Sequence, residues 1–176
     1  LLVVNDSATV KAEADGELAG RGPVVVHVAS TLDTGERVVE LRTAPDAGRA
    51  ILDAQPGDVV GLGRVGLTLL APYPHERSSP TGEGNRLWRA IATGALDRHL
   101  NRHGRPIAYG YLDQRYPLST YQTVFSARPG SAEMPSAGRP FTARLVTRLV
   151  TQGVRIAPIT LHTGVSSQEA GEGPQP

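Results

Sequence analysis

His162 closes a β-branched run, Val154-Arg155-Ile156-Ala157-Pro158-Ile159-Thr160-Leu161-His162, and Gly164, Ser166 and Ser167 follow it. A histidine near its ordinary pKa takes up or releases a proton at neutral pH, which suits a general acid or base. A histidine at a strand end can equally make one structural hydrogen bond, and the residues alone leave both readings open. Upstream, Ser136-Ala137-Gly138 precedes a helix that Thr142 is placed to cap. Small residues let a backbone approach a ligand closely, and N–H groups at a helix start favour an anion such as a carboxylate. An ordinary tight turn would use the same three residues.

Other patterns carry less. His99 and His103 lie one helical turn apart, as two metal ligands would, but no third ligand is evident and an exposed helix face is the better reading. Gly61-Leu62-Gly63-Arg64-Val65-Gly66 matches a dinucleotide-binding pattern. That pattern needs a helix after it, to bring an N-terminus to the pyrophosphate. Here Leu67 to Pro72 reads as a strand, so a hairpin turn is expected instead.

The elements that must position these residues divide the chain in two. The first half reads as short strands over Thr9–Ala14, Val24–Ala29, Arg37–Leu41, Asp58–Leu62, Gly66–Ala71 and Arg86–Ile91. Turn signals separate them at Asp15-Gly16, Asp33-Thr34-Gly35, Pro56-Gly57 and Pro80-Thr81-Gly82. Short strands at this spacing predict a small barrel or sandwich. The second half has a short helix over Ala95–His103, with Leu96 and Leu100 inward, then a Pro- and Tyr-rich loop. A second helix follows Thr142, with Leu145, Val146, Leu149 and Val150 as its apolar stripe and Gly153 as its stop. The strand Val154–His162 comes next, with Pro158 at an edge or bulge. Helix followed by strand implies an α/β unit. The expected fold is therefore α/β plus all-β. A β-barrel-like domain over 9–103 is placed against, or inserted into, an α/β domain built from 1–8 and 104–176.

Composition narrows the function classes. The 176 residues include no cysteine, which excludes disulfides, thiolate metal sites and cysteine nucleophiles and fits a reducing cytosol. No apolar run approaches the roughly 20 residues that span a bilayer, so a cytoplasmic protein without a membrane partner is expected. The first residues read as a strand already under way, with no initiator Met, so a piece of a longer protein, incomplete at both ends, is expected. Formal net charge is +1, yet nine arginines and only two carboxylates fall between Arg98 and Arg155. Tyr109, Tyr111, Tyr116 and Tyr121 lie in the same stretch. Arginine with interleaved aromatics suits phosphate contact and base stacking. Arginine is also simply this chain's usual cation, since Lys11 is its only lysine.

Several segments, taken in order, resemble one family. They are Leu1-Leu2-Val3-Val4-Asn5-Asp6-Ser7, Tyr121-Gln122-Thr123-Val124-Phe125, Pro129-Gly130-Ser131, Pro135-Ser136-Ala137-Gly138, Phe141-Thr142 and Ile159-Thr160-Leu161-His162-Thr163-Gly164. The pattern is similar to the S-adenosylmethionine:tRNA ribosyltransferase-isomerases of queuosine biosynthesis, strongly in the second half and weakly in the first. The resemblance implies a β-barrel inserted in an α/β domain. It implies transfer of the ribosyl group of S-adenosylmethionine to 7-aminomethyl-7-deazaguanine in tRNA, with adenine and methionine leaving and no metal required. By the same match, His162 would be a base or proton donor. Asn5 and Asp6 would hold hydroxyls or an amine. Tyr121, Gln122 and Thr123 would face the nucleobase. Ser136, Ala137 and Gly138 would cradle the methionine or ribose end, and Gly164 belongs with these substrate-binding positions. Arg139-Pro140-Phe141-Thr142 stands where the family reads L-H-F-T, and Thr163-Gly164-Val165-Ser166-Ser167-Gln168 where it reads V-G-x-G-T-F. A relative acting on another acceptor and a non-catalytic RNA-binding module are the other readings.

Overall fold

Two short strands open the chain, β1 (Leu2–Asn5) and β2 (Ser7–Thr9). In this computed structural model residues 1–74, 84–108 and 114–165 are described. The turn signal Pro80-Thr81-Gly82, Tyr109, Tyr111 and the tail from Ser166 lie outside them. The next six strands are β3 (Glu13–Leu18), β4 (Gly22–Thr31), β5 (Arg37–Thr43), β6 (Val59–Leu62), β7 (Val65–Pro72) and β8 (Leu87–Thr93). They close into an antiparallel barrel in the order β3-β4-β5-β8-β7-β6.

Alternation along the strands makes the barrel's core. Val24, Val26 and Val28 of β4 meet Val39 and Leu41 of β5, Leu67 and Leu69 of β7 and Trp88 of β8 inside it. Each such side chain contributes about 1.5–3 kcal/mol when taken out of water. Trp88 also satisfies its indole N–H on the Asn85 carbonyl at 3.1 Å. Helix α1 (Leu96–His103) adds Leu96 and Leu100 to the same core, as its spacing predicts.

One turn and one strand come out differently. Asp15-Gly16 is not a turn: Gly16 sits within β3, paired with Val24. A Cβ on Gly16 would press on Leu62 and Val60 of the neighbouring strand at 2.7 and 2.9 Å, so the glycine serves close strand approach. The turn falls instead at Gly20, whose φ is +75°. The predicted strand Thr9–Ala14 is also split between β2 and β3. The Gly61–Gly66 stretch forms the expected hairpin, with Leu62 facing Val65 across Gly63 at φ +65°.

Beyond the barrel lie β9 (Arg128–Ser131), helix α2 (Ala143–Thr151) and β10 (Ile156–Ile159). β1 pairs with β10 and β2 with β9, both in parallel. Asp6 is the junction between the two ladders. Its N–H donates to the Ile159 carbonyl at 2.9 Å, and its own carbonyl accepts from Ala127 and Arg128. Thr142 caps α2 as predicted, its Oγ1 accepting from Leu145 N at 3.1 Å. The apolar stripe of α2 is not buried as the pattern suggests: no residue of this helix is fully buried, and Val150 is 53% exposed. A two-stranded ladder offers little apolar surface to cover it.

The outer wall of the barrel is also covered. Ala29 of β4 and Val38 of β5 pack with Ile107, Ala132 and Val165 in a second cluster. Beside it, Glu13, His27 and Glu40 stand in register across β3, β4 and β5, all fully buried. His27 Nε2 lies 3.1 Å from Glu13 and Nδ1 lies 3.4 Å from Glu40. Arg105 and Arg115 reach Glu13 at 2.5 and 2.7 Å, and Arg42 reaches Glu40 at 2.5 Å. Burial alone would push the Glu13 carboxyl up. The His27 hydrogen bond and charge, with both arginines, outweigh it and hold Glu13 at about 2. Burial likewise opposes the charged form of His27, yet bonds to Glu13 and Glu40 raise its pKa. Glu40 is lowered, its burial outweighed by His27, Arg42 and Arg86.

Candidate functional site

The exit of β10 is where the predicted residues gather. Strand β10 ends at Ile159, so His162 lies beyond the strand and not at its last position. Backbone pairing stops because β1 ends at Asn5 and the chain turns away at Asp6. The Asn5 side chain then takes over the role of a strand neighbour. Its Oδ1 accepts from Leu161 N at 3.0 Å, and its Nδ2 donates to the Leu161 carbonyl at 2.8 Å. Asp6 braces the same segment by accepting from Thr160 Oγ1 at 2.6 Å, and its other oxygen is 3.3 Å from Arg128.

Past Leu161 the segment is tied to β9. Ala132 N donates to the Thr163 carbonyl at 2.8 Å, Thr163 N to Ser131 Oγ at 3.1 Å, and Thr163 Oγ1 to the Glu133 carbonyl. Gly164 passes against the Ala29 carbonyl, where a Cβ would sit at 3.3 Å, and Val165 enters the outer-wall cluster. These ties fix the backbone on both sides of His162.

His162 itself is exposed but held. Its Nδ1 is 2.7 Å from Ser7 Oγ, and Ser7 Oγ is 2.6 Å from Ser131 Oγ. Both serines are fully buried. The ring lies over Gly130, where any Cβ would run into it. Gly130, Ser7 and Ser131 complete the setting of His162 but were not picked out as site residues from sequence. Each is common in turns and strands; only the segments Pro129-Gly130-Ser131 and Asn5-Asp6-Ser7, similar to the family's P-G-[AS] and N-D-T, mark the positions.

A groove of about 600 Å³ lies beside this segment. Ser136, Ala137 and Gly138 line it together with Asn5, Phe125, Phe141 and Thr163. The three small residues form a single 3-10 turn, with Ser136 and Ala137 exposed. Gly138 is packed on Thr123 so closely that a Cβ would sit 3.0 Å from its methyl group. Phe125 and Phe141 meet with ring centroids 5.4 Å apart. Leu161 and Thr163 line the groove, whereas His162, between them, faces Ser7 and Gly130.

The other predicted positions serve nearby contacts. Gln122 clasps Thr9, accepting from its N–H at 3.0 Å and donating to its carbonyl at 2.9 Å. Thr9 Oγ1 donates to the Tyr121 carbonyl at 2.7 Å. The Tyr121 hydroxyl is buried, which raises its pKa. His99 and His103 meet as tilted rings with centroids 5.0 Å apart, and no group of three or more metal-binding side chains occurs among the described residues. No helix among the described residues is long and apolar enough to cross a membrane.

A closed barrel joined to two parallel strand pairs therefore carries a histidine, clamped where the pairs meet, beside a groove lined by small and aromatic residues. The family model described as queuosine biosynthesis protein matches residues 1–173, and the chain belongs to that family. Relatives named S-adenosylmethionine:tRNA ribosyltransferase-isomerase include one from Acetivibrio thermocellus, 32% identical over 94% of this chain and 46% of the relative. Another, from Nitrosococcus oceani, is 28% identical over 95% of this chain and 45% of the relative. A third, from Thermus thermophilus, is 38% identical over 54% of this chain and 28% of the relative. The chain spans about half the length of the curated relatives it matches. No solved structure matches it.

Proposed function

We propose that this chain carries a ligand-binding part of an S-adenosylmethionine:tRNA ribosyltransferase-isomerase. The reaction moves the ribosyl group of S-adenosylmethionine onto 7-aminomethyl-7-deazaguanine in tRNA, giving epoxyqueuosine and releasing adenine and methionine. One observation carries the reading. Three segments far apart in sequence, all with family motifs, converge on His162: Asn5–Ser7, Gly130-Ser131 and Leu161–Thr163. The names of the relatives support it.

The chemistry asks for a group that removes a proton beside the sulfonium and a group that assists adenine as it leaves. His162 answers one of these needs. The groove suits the methionine or ribose end: Phe125 and Phe141 supply apolar wall, and the Ser136–Gly138 turn allows close backbone approach. Asn5 and Asp6 act on the substrate through the segment they brace. Gln122 and Thr123 shape the wall behind the groove, and Tyr121 stands at the nucleobase side. Exposed arginines on the two helices, Arg98, Arg102, Arg144 and Arg148, are suited to tRNA phosphates. A tRNA substrate places the work in the cytoplasm.

The same reading covers domain organisation. Residues 1–8 and 104–176 are parts of an α/β domain, and 9–103 form a barrel inserted in it. The parallel pairing of β1 with β10 and of β2 with β9 supports this, since it joins chain from both sides of the barrel.

The test is adenine release. The protein is mixed with S-adenosylmethionine and tRNA bearing 7-aminomethyl-7-deazaguanine. Release that requires the modified base is the expected result. No release, or release indifferent to that base, overturns the reading.

A further inference from the structure

The hydroxyl chain beside His162 has a direction. Ser131 Oγ accepts a hydrogen bond from Thr163 N–H at 3.1 Å. It lies 2.6 Å from Ser7 Oγ, which lies 2.7 Å from His162 Nδ1. Ser7 and Ser131 are both fully buried, so neither hydroxyl hydrogen can turn to bulk water. Among the described residues, the Ser131 hydrogen has one acceptor within reach, Ser7 Oγ. Ser7 must then give its own hydrogen to Nδ1. In the reverse direction Nδ1–H would donate to Ser7 and Ser7 to Ser131. That leaves the Ser131 hydrogen buried without an acceptor, the costlier arrangement.

We infer that Ser131 and Ser7 hold neutral His162 in the tautomer with its proton on Nε2, so that His162 meets its ligand as a hydrogen-bond donor and not as the base. Ser7 and Ser131 are positioning residues in this scheme. Gly130 sets the plane of the ring, because no side chain could lie beneath it. A neutral imidazole is a poor acid for complete proton transfer but a good fixed donor to an electron-rich atom. A ring nitrogen of a departing purine is the acceptor of matching chemistry. The proton beside the sulfonium must then be taken by another group. This assignment of the acceptor rests on the ribosyl-transfer reading; the tautomer does not.

The experiment is nitrogen NMR on the 15N-labelled protein in alkaline buffer. The His162 signals are assigned by their loss in H162Q. The expected spectrum has the proton on Nε2 and a hydrogen-bonded Nδ1 acceptor. In Ser7→Ala the Nδ1 resonance moves, and in Ser7→Thr it stays. Turnover follows: S7A lowers kcat by roughly tenfold or more while KM changes less than about twofold, and S7T restores it. A proton on Nδ1 in the unaltered protein overturns the inference, as does an Nδ1 resonance indifferent to Ser7→Ala. The expected tautomer in a protein that releases no adenine upholds the hydroxyl chain and overturns the ribosyl-transfer reading instead.

Discussion

Asn5 pairs with Leu161 as a neighbouring strand would, but through its side chain. The amide accepts from Leu161 N–H at 3.0 Å and donates to the Leu161 carbonyl at 2.8 Å. The β1–β10 ladder is thereby prolonged past its last backbone pair, Asn5 with Ile159. The residue after Leu161 is His162, so the amide sets where the imidazole begins.

Replacing this amide by a carboxylate keeps the shape and loses the donor. Asn5→Asp would set an oxygen against the Leu161 carbonyl. Loss of one such solvent-exposed bond costs about 0.5–1.5 kcal/mol, or roughly 2- to 13-fold in a rate that depends on the position of His162. Adenine release measured on N5D is expected to fall within that range while the melting temperature drops by a few degrees. Unchanged turnover would remove Asn5 from the positioning of His162.

His162→Ala separates the site from the fold. The ring is exposed, and its removal leaves only the Ser7 hydroxyl short of a partner, at about 1 kcal/mol. Circular dichroism and thermal melting are expected to report a folded protein close to the parent in stability. Turnover is expected to be abolished. Full activity in H162A would remove the histidine from the chemistry.

Gly130→Ala tests the same ring from below. The added methyl group runs into the imidazole, which must swing off Ser7. Gly130 is exposed, so stability should change by less than about 1 kcal/mol. Turnover is expected to fall nearly as far as in H162A. Wild-type turnover in G130A would mean that the ring's placement over Gly130 is unimportant.

The buried row Glu13–His27–Glu40 makes stability depend on pH from both sides. The folded pKa of His27 lies above its ordinary 6.5. Its contribution is therefore whole below about 6.5 and is lost as pH climbs through the raised value. Glu13 and Glu40 lie below their ordinary 4.5, Glu13 at about 2. Their contribution is whole above about 4.5 and is lost as pH falls toward the lowered values. The melting temperature should be highest between these limits and decline toward alkaline pH. His27→Gln leaves two buried carboxylates facing a neutral group, at a cost of about 3–5 kcal/mol. It should also flatten the alkaline decline. A decline just as steep in H27Q would assign the pH dependence to other groups.

The legible parts of the fold were those decided locally. Short β-rich runs separated by turn signals announced a barrel or sandwich, because each run is too short to bury its apolar residues without paired neighbours; closure into a barrel is seen only in the structure. Thr142 announced the start of α2 because a hydroxyl there can take a backbone N–H. Gly63 was readable as a hairpin because a strand, not a helix, follows it. Asp15-Gly16 misled for a physical reason. The local signal for a turn is the same as the signal for a glycine that lets two strands approach, and only the neighbouring Leu62 and Val60 distinguish them.

The candidate site divides along the same line. The sequence by itself determined which chemistry was on offer: a histidine able to act near neutral pH, a small-residue turn and no thiol. Family motifs placed those positions in order along the chain. Only the tertiary structure decided that His162 turns away from the groove its neighbours line, and that Ser7 and Ser131, 124 residues apart, bond to each other beneath it. The row Glu13–His27–Glu40 was equally hidden, since charged residues on strands read as solvent-facing until three strands lie in register and the outer wall is covered. Hydrogen-bond direction and burial belong to pairs of atoms brought together by folding, so no single residue's type can carry them.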